Sequence, residues 1–166
     1  MVAQIIGFIA LTVWVSSVQM KQKNNILIMQ SVAMLFYATQ YFLLGAISTG
    51  ILNVYAVVRV LIFYDNEKKN KENTKSLLIV LSLITILLTV IFYENVFSLI
   101  PMVISLIYNY AAWQKNNKIL RVLFIVAAFM WIIFNTYIGA YVALIGNLFE
   151  VISGIVAICR YDRKTK

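Results

Sequence analysis

Long apolar runs separated by short polar segments make up almost the whole chain. Seven runs of 18 or 19 residues each cover approximately residues 3–20, 26–44, 47–64, 76–93, 95–113, 119–137 and 140–158. A helix of this length spans about 27 Å, close to the hydrocarbon thickness of about 30 Å. A segment in lipid must satisfy its own backbone hydrogen bonds, so the runs are predicted to be helices. The pattern predicts an all-α membrane protein with seven transmembrane helices.

The fourth run, residues 76–93, separates two halves of three runs each. It contains no charged residue, no glycine and no proline. A single extra span between two three-span units places both units in the membrane with the same orientation. We therefore predict two parallel three-helix bundles joined by a linking helix. The units are residues 1–64 (first bundle), 65–93 (cytoplasmic loop and linking helix) and 94–166 (second bundle and basic tail).

The basic residues lie in alternate connections between the runs. Thirteen of the 14 follow runs one, three, five and seven, namely Lys21, Lys23, Lys68, Lys69, Lys71, Lys75, Lys115, Lys118, Arg121, Arg160, Arg163, Lys164 and Lys166. Basic connections stay on the cytoplasmic side. The pattern predicts a multi-pass protein of the bacterial cytoplasmic membrane, with the N-terminus outside and the C-terminus cytoplasmic. Anionic lipids are the expected partners of this charge.

Composition excludes several other classes of protein. Hydrophobic residues make up 63% of the chain and charged residues only 12%, too few for a water-soluble surface. The net charge of +8 lies in short clusters between apolar runs, which argues against nucleic acid as a partner. Without histidine and with one cysteine, the chain lacks the commonest metal ligands, and we expect no cofactor or metal. The first run has no basic segment before it and is interpreted as a retained span.

The two halves resemble each other in sequence. Residues 22–25 and 114–117 both read Gln-Lys-Asn-Asn. At a spacing of 94 residues, Gly45-Ala46 matches Gly139-Ala140, and three further pairs match: Tyr37 with Trp131, Tyr41 with Asn135, and Asn53 with Asn147. Such a repeat is typical of transporters built from two equivalent units. Chance similarity between apolar, asparagine-rich segments is the alternative.

These stretches, residues 22–64 and 114–147, resemble known membrane families. The arrangement of three spans, one linking span and three more is similar to that of the SWEET sugar transporters and the PnuC vitamin transporters. The closer similarity is to the YgjV-type bacterial inner-membrane proteins, which implies a fold more than an activity. In SWEET transporters an asparagine in the third span of each bundle lies at the sugar site, and Asn53 and Asn147 match those positions. SWEET transporters also bend the first span of each bundle at proline, whereas the only proline here is Pro101, in the fifth run.

Two aromatic residues and two amides are candidates for substrate binding. Tyr37, Asn53, Trp131 and Asn147 each lie six or seven residues from a predicted outer corner, about 10 Å below the membrane boundary. Rings offer flat apolar faces and amides both donate and accept hydrogen bonds, which suits a small polar ligand. Interhelical packing through the asparagines, and a plain core role for the aromatics, are the alternatives.

Glu150 and Arg59 are further candidates, because ionisable side chains inside a membrane usually have a function. Glu150 lies near the middle of the seventh run and follows Asn147 by three positions, so both share a helix face. Arg59 lies somewhat deeper in the third run. It can reach Glu150, extend to the inner interface, or contact a ligand directly.

The sequence therefore favours a transporter or facilitator for a small polar molecule, such as a sugar, nucleoside or vitamin, working by alternating access between the bundles. The alternative is a non-transporting membrane sensor or a subunit of a membrane complex. An enzyme is not expected, because an intramembrane enzyme usually needs several acids or histidines and the runs contain one glutamate. Both bundles are present in one chain, which allows a monomer or a homo-oligomer.

Overall fold

The computed structural model describes residues 1–18, 23–69, 71–114 and 116–161. These residues form seven α-helices: α1 (Val2–Val18), α2 (Lys23–Leu43), α3 (Ile47–Lys68), α4 (Lys75–Ile91), α5 (Leu99–Trp113), α6 (Asn117–Ile138) and α7 (Tyr141–Tyr161). Each helix coincides with one predicted apolar run, so the all-α prediction is confirmed. Several residues of the predicted basic segments and of the Gln-Lys-Asn-Asn repeat lie outside the described residues: Lys21, Gln22, Lys115, Arg163, Lys164 and Lys166.

Local sequence sets the starts of α4 and α5. The Thr74 side chain accepts a hydrogen bond from the backbone N–H of Leu77 and caps α4. A 3-10 turn, Val96–Ser98, precedes α5, and the Asn95 and Ser98 side chains form a capping box there. Pro101 lies in the first turn of α5, where its missing N–H costs little. Pro101 thus belongs to the start of this helix and is not placed to bend its middle.

The corners after α2 and α6 are built in the same way. Gly45 and Gly139 have φ angles of 79° and 72°, in the left-handed region that glycine adopts without strain. The N–H of Ala46 donates to the Tyr41 carbonyl at 2.9 Å, and the N–H of Ala140 donates to the Asn135 carbonyl at 2.9 Å. Both are the 6→1 bond of a Schellman turn, which satisfies the last carbonyls of a helix. The repeat predicted at these corners is therefore present in the backbone.

The helices contact one another in the same order in both halves. Helix α2 packs on α1 and α3, and α6 packs on α5 and α7. Contacts of α1 with α7 and of α3 with α5 join the halves, so six helices form a ring. Helix α4 lies outside this ring, against α5 and α3. Exchanging α1, α2 and α3 with α5, α6 and α7 leaves the order of contacts unchanged.

The two ends of the ring differ in charge. At one end, which we call the corner end, the Gln4 side chain donates to the Gly139 carbonyl at 2.6 Å, and the Glu94 carboxylate accepts from the N–H groups of Ile47 and Ser48. The other end, the lysine end, brings the connection after α3 beside the connection after α5, through Glu72, Asn73, Gln114 and Asn116. These two connections contain lysines and were predicted to share one side of the membrane.

The surface and the packing of the helices are typical of a protein in lipid. Large apolar side chains are exposed on every helix, and the fully buried residues are rich in alanine, including Ala10, Ala33, Ala111 and Ala127. Small residues allow helices to approach closely in membranes. Within the part of the chain that the structure describes, three segments are long and apolar enough to cross a membrane: Ile47–Asn66, Val96–Trp113 and Arg121–Ile138. The full count of seven spans stays a prediction, as does the division into units at residues 64 and 93.

Candidate functional site

An aromatic and amide contact joins α2 and α6 inside the ring. The buried Tyr41 hydroxyl donates to Oδ1 of Asn135, also buried, at 3.0 Å. The Tyr41 ring stacks on Trp131, with centroids 5.8 Å apart and planes 11° from parallel. Phe134 packs against both rings at tilted angles. Because Tyr41 and Asn135 are equivalent positions of the repeat, 94 residues apart, the two halves meet through equivalent side chains.

This contact continues along α7 to Glu150. Asn135 Nδ2 donates to Oδ1 of Asn147 at 2.8 Å, and Asn147 Nδ2 donates to Oε2 of Glu150 at 3.4 Å. The predicted sharing of one face by Asn147 and Glu150 agrees with this contact. Tyr41, Asn135, Asn147 and Glu150 thus form one hydrogen-bonded chain over three helices, which we call the central network.

Two further aromatic residues lie within electrostatic range of the Glu150 carboxylate. Tyr37 of α2 and Tyr108 of α5 both interact with it electrostatically. Gly146 allows the close approach of α1, since a Cβ there would lie only 2.9 Å from Cδ1 of Leu11, and the Tyr37 hydroxyl oxygen of α2 lies 3.8 Å from the same position. Tyr108 also interacts with Trp131 through its hydroxyl. Of the predicted site residues, Tyr37, Trp131, Asn147 and Glu150 are therefore brought together.

Arg59 is almost fully buried, at 5% exposure, and contacts α5. Its Nη1 donates to the Ser105 carbonyl at 3.2 Å, to Ser105 Oγ at 3.1 Å and to Asn109 Oδ1 at 3.1 Å. Its guanidinium carbon lies 5.8 Å from the centroid of the Tyr108 ring. In the described structure Arg59 therefore neither pairs with Glu150 nor extends to the interface, two of the three arrangements considered from the sequence. It lies on one side of Tyr108, a residue that also interacts with Glu150.

Asn53 does not join the central network. Its Nδ2 donates to the Thr49 carbonyl of its own helix at 3.0 Å. The equivalent residue Asn147 bonds to Asn135 of the neighbouring helix instead. The matched pair of amides is thus not brought to a common contact. The prediction that Asn53 binds substrate stays a prediction and draws no support from this hydrogen bond.

Tyr108, Asn109 and Asn135 have central positions in the described structure. Tyr108 and Asn109 fall near the end of a run, where interfacial anchors are common, yet they contact the buried Arg59. Asn135 is 1% exposed and forms hydrogen bonds to other helices within the central network. The spacing of Ser105 and Asn109, four residues apart on one helix face, is a sequence signal that indicates a shared partner.

The central network lies apart from two surface clefts of the described structure. One, of about 320 Å³, is at the corner end and is lined partly by Glu94, Asn95, Ser98, Phe134 and Tyr137. Another, of about 510 Å³, is at the lysine end. Neither of these clefts is lined by Asn147 or Glu150. Tyr41 and Asn135 of the network are buried, whereas Asn147 and Glu150 are half-buried.

The chemical groups at the centre suit a small polar organic molecule. They are two amides, phenol and indole rings, and one carboxylate, with a guanidinium group next to them. Amides donate and accept, and a carboxylate accepts from ammonium or hydroxyl groups. Among the described residues, no group of three metal-ligating side chains occurs.

Comparisons with known proteins agree with the membrane character of the chain. Residues 1–165 match the family model Imp-YgjV, described as a bacterial inner membrane protein. No curated protein and no solved structure is significantly similar to the chain. The similarity in helix plan to SWEET and PnuC transporters therefore stays a prediction. Since the match covers almost the entire chain, the protein belongs to the Imp-YgjV family of bacterial inner membrane proteins.

Proposed function

We propose that the protein is a carrier for a small polar molecule, with a binding site between two three-helix bundles that open alternately to the two sides of the membrane. The observation on which this depends is the central network, which joins equivalent positions of the two halves through Tyr41 and Asn135 and ends at Glu150. A polar chain at the junction of repeated units is the expected place for a substrate in repeat-built transporters.

The repeated backbone supports a mechanism in which the halves move against each other. The corners at Gly45 and Gly139 are alike, and α1–α7 and α3–α5 are the two contacts through which the halves meet along the ring. Rigid-body movement of two such units changes the exposure of groups lying between them. The Asn147 and Glu150 side chains would then be reached from each side in turn.

The charge distribution supports one orientation of this carrier. Exposed Lys68, Lys69 and Lys71 mark the lysine end, whereas Glu94 lies at the corner end. We place the lysine end in the cytoplasm, beside anionic lipids, with the N-terminus outside and the C-terminus inside.

A single-cysteine accessibility experiment tests the carrier directly, without knowledge of the substrate. Cys159 is the only cysteine of the chain and is exposed, so Cys159→Ser provides the background. In it, Asn147→Cys is expected to react with a membrane-impermeant maleimide in both right-side-out and inside-out vesicles. Ser76→Cys, near the lysine end, and Tyr93→Cys, near the corner end, are exposed controls that should each react from one side only. Labelling of Asn147→Cys from a single side contradicts alternating access.

The packed centre favours a second candidate, a non-transporting sensor or a subunit of a membrane complex. The two described clefts lie at the ends of the ring and do not reach Glu150. A permanently closed centre predicts that Asn147→Cys reacts from neither side, while both end controls still react. The same set of variants therefore separates the two candidates.

A further inference from the structure

Two side chains of opposite charge lie within the helix assembly without a counter-ion among the described residues. Arg59 is buried and its hydrogen-bond acceptors are neutral: a backbone carbonyl, a hydroxyl and an amide oxygen. Glu150 is half-buried and accepts one long bond from the amide of Asn147. An unpaired charge away from water is strongly unfavourable, and in a membrane such residues usually mark a ligand or ion pathway.

The guanidinium group of Arg59 retains donors suited to an anion. All three hydrogen bonds that the structure gives it use Nη1, which leaves Nη2 and Nε for a further acceptor. A carboxylate matches this planar arrangement, because its two oxygens can accept from two guanidinium N–H groups at once. The Ser105 and Asn109 contacts hold the group in place for such a partner.

The Glu150 carboxylate is complementary to a cation. Only Oε2 receives a hydrogen bond within the central network, and its donor–acceptor distance is 3.4 Å. The Tyr37 and Tyr108 side chains lie within electrostatic range of Glu150, and aromatic rings attract an ammonium group. An ammonium group can therefore neutralise Glu150 next to aromatic side chains.

Tyr108 connects the two charges. Arg59 lies over the Tyr108 ring, with 5.8 Å from guanidinium carbon to ring centroid, and Tyr108 is within electrostatic range of Glu150. We infer that the substrate is a small zwitterion whose carboxylate binds Arg59 and whose ammonium group binds Glu150 across Tyr108. This rests on the proposed carrier function, and it replaces a neutral sugar or nucleoside as the substrate class, because a neutral molecule leaves both charges unpaired.

Ligand-induced stabilisation of the purified full-length protein in lipid nanodiscs tests the inference. The probes are glycine, β-alanine and γ-aminobutyrate, in which the distance between charges increases, with propionate, propylamine and glucose as analogues lacking one or both charges. At least one zwitterion is expected to raise the unfolding temperature, with an apparent affinity tenfold or more above that of each analogue. If no zwitterion shifts it, or if glucose or a one-charge analogue matches the best zwitterion, the inference is overturned.

Variants assign each charge of the ligand to its residue. In Glu150→Gln the advantage of the zwitterion over propionate should disappear, and in Arg59→Gln its advantage over propylamine should disappear. Lys69→Gln removes an exposed charge at the lysine end and should leave both ratios unchanged. Ratios unaltered in Glu150→Gln or Arg59→Gln contradict the assignment. Should Arg59→Gln fail to fold, the probe series on the unaltered protein decides alone.

This result is distinguishable from failure of the carrier proposal. Binding of glucose but of no zwitterion, together with two-sided labelling of Asn147→Cys, overturns the zwitterion inference and supports the carrier proposal. Binding of a zwitterion, together with labelling of Asn147→Cys from one side only, supports the charge assignment and overturns the carrier proposal.

Discussion

The two halves of the ring share a backbone but differ in the side chains they present to the centre. Gly45 and Gly139 form the same turn, and Tyr41 lies opposite its equivalent, Asn135. By contrast, the position equivalent to Arg59, 94 residues later, is Ser153, and the position equivalent to Glu150 is Ala56. Each half therefore supplies one charge, and the equivalent position in the other half holds a small residue. The comparison teaches that repetition is kept where it sets the geometry of the helices and is lost where chemistry is needed.

The asymmetry extends to the asparagines in the third helix of each half. Asn147 forms a hydrogen bond with Asn135. The equivalent bond in the first half would join Asn53 to Tyr41, the residue equivalent to Asn135. The Tyr41 hydroxyl instead donates to Asn135, and Asn53 bonds to its own helix. The difference between Tyr41 and its equivalent, Asn135, thus directs the central network toward α7 and away from α3.

The largest expected effect comes from removing a partner of the buried charge. Asn109→Leu takes one acceptor from Arg59 and one donor from Thr85. Because hydrogen bonds to charged groups contribute about 1.5–3 kcal/mol, the free energy of unfolding should fall by about 3 kcal/mol. Asn53→Leu, which removes a bond within one helix, is the matched control and should cost less than about 1 kcal/mol. Reversible unfolding in mixed micelles measures the free energy of unfolding of both variants. Equal losses in Asn109→Leu and Asn53→Leu would contradict a special role of the contacts to Arg59.

The corner glycines provide the next comparison, in which the halves should behave alike. Alanine at Gly45 or Gly139 meets no atom closer than 4.0 Å, so any cost comes from the left-handed backbone alone. That conformation costs a residue with a Cβ about 1–2 kcal/mol. Gly45→Ala and Gly139→Ala should therefore lower the free energy of unfolding by similar amounts in the same assay. A difference of more than about 1 kcal/mol between them would mean that the two turns are not equivalent.

How far the sequence predicts this molecule depends on the range of the interactions concerned. Helices and corners follow from run lengths and from glycines at equal spacing, and the contact of Asn147 with Glu150 follows from positions on one helix. The partner of Arg59 did not follow, because a long side chain can reach several neighbours and its choice depends on the packing of α3 against α5. The place of Tyr108 and Asn109 near the end of a run favours the interface, although the neighbouring buried charge decides their environment.

A smaller effect is expected where the halves meet through Tyr41 and Asn135. Tyr41→Phe and Asn135→Leu each remove their mutual hydrogen bond, and the double variant removes it once. Interhelical bonds in membrane proteins contribute about 0.6 kcal/mol on average, so a double-mutant cycle should give a coupling energy near that value. Asn53 lies outside the network, and a cycle of Tyr41→Phe with Asn53→Leu is the control, with no coupling expected. A coupling energy of zero in the first cycle would mean that the Tyr41–Asn135 hydrogen bond does not join the two halves.

The smallest effect concerns the side chains that close the ring at the corner end. Glu94 accepts from the N–H groups of Ile47 and Ser48 at 3.2 Å each, while Gln4, the corresponding contact of the other half, bonds to Gly139 and Val142. A carboxylate at a helix N-terminus gains about 0.3–1 kcal/mol from the helix dipole, a contribution that an amide lacks. Glu94→Gln should therefore lower the free energy of unfolding by less than about 1 kcal/mol. Gln4→Glu should also lower it, by about 1 kcal/mol, because a carboxylate cannot donate to the Gly139 carbonyl. Because both substitutions keep the shape of the side chain, the same unfolding assay isolates the effect of charge. The two contacts are thus alike in position but different in chemistry, because Glu94 only accepts whereas Gln4 also donates. If Gln4→Glu instead stabilises the protein, the charge at the start of α7 outweighs the lost donor, and the two contacts are equivalent.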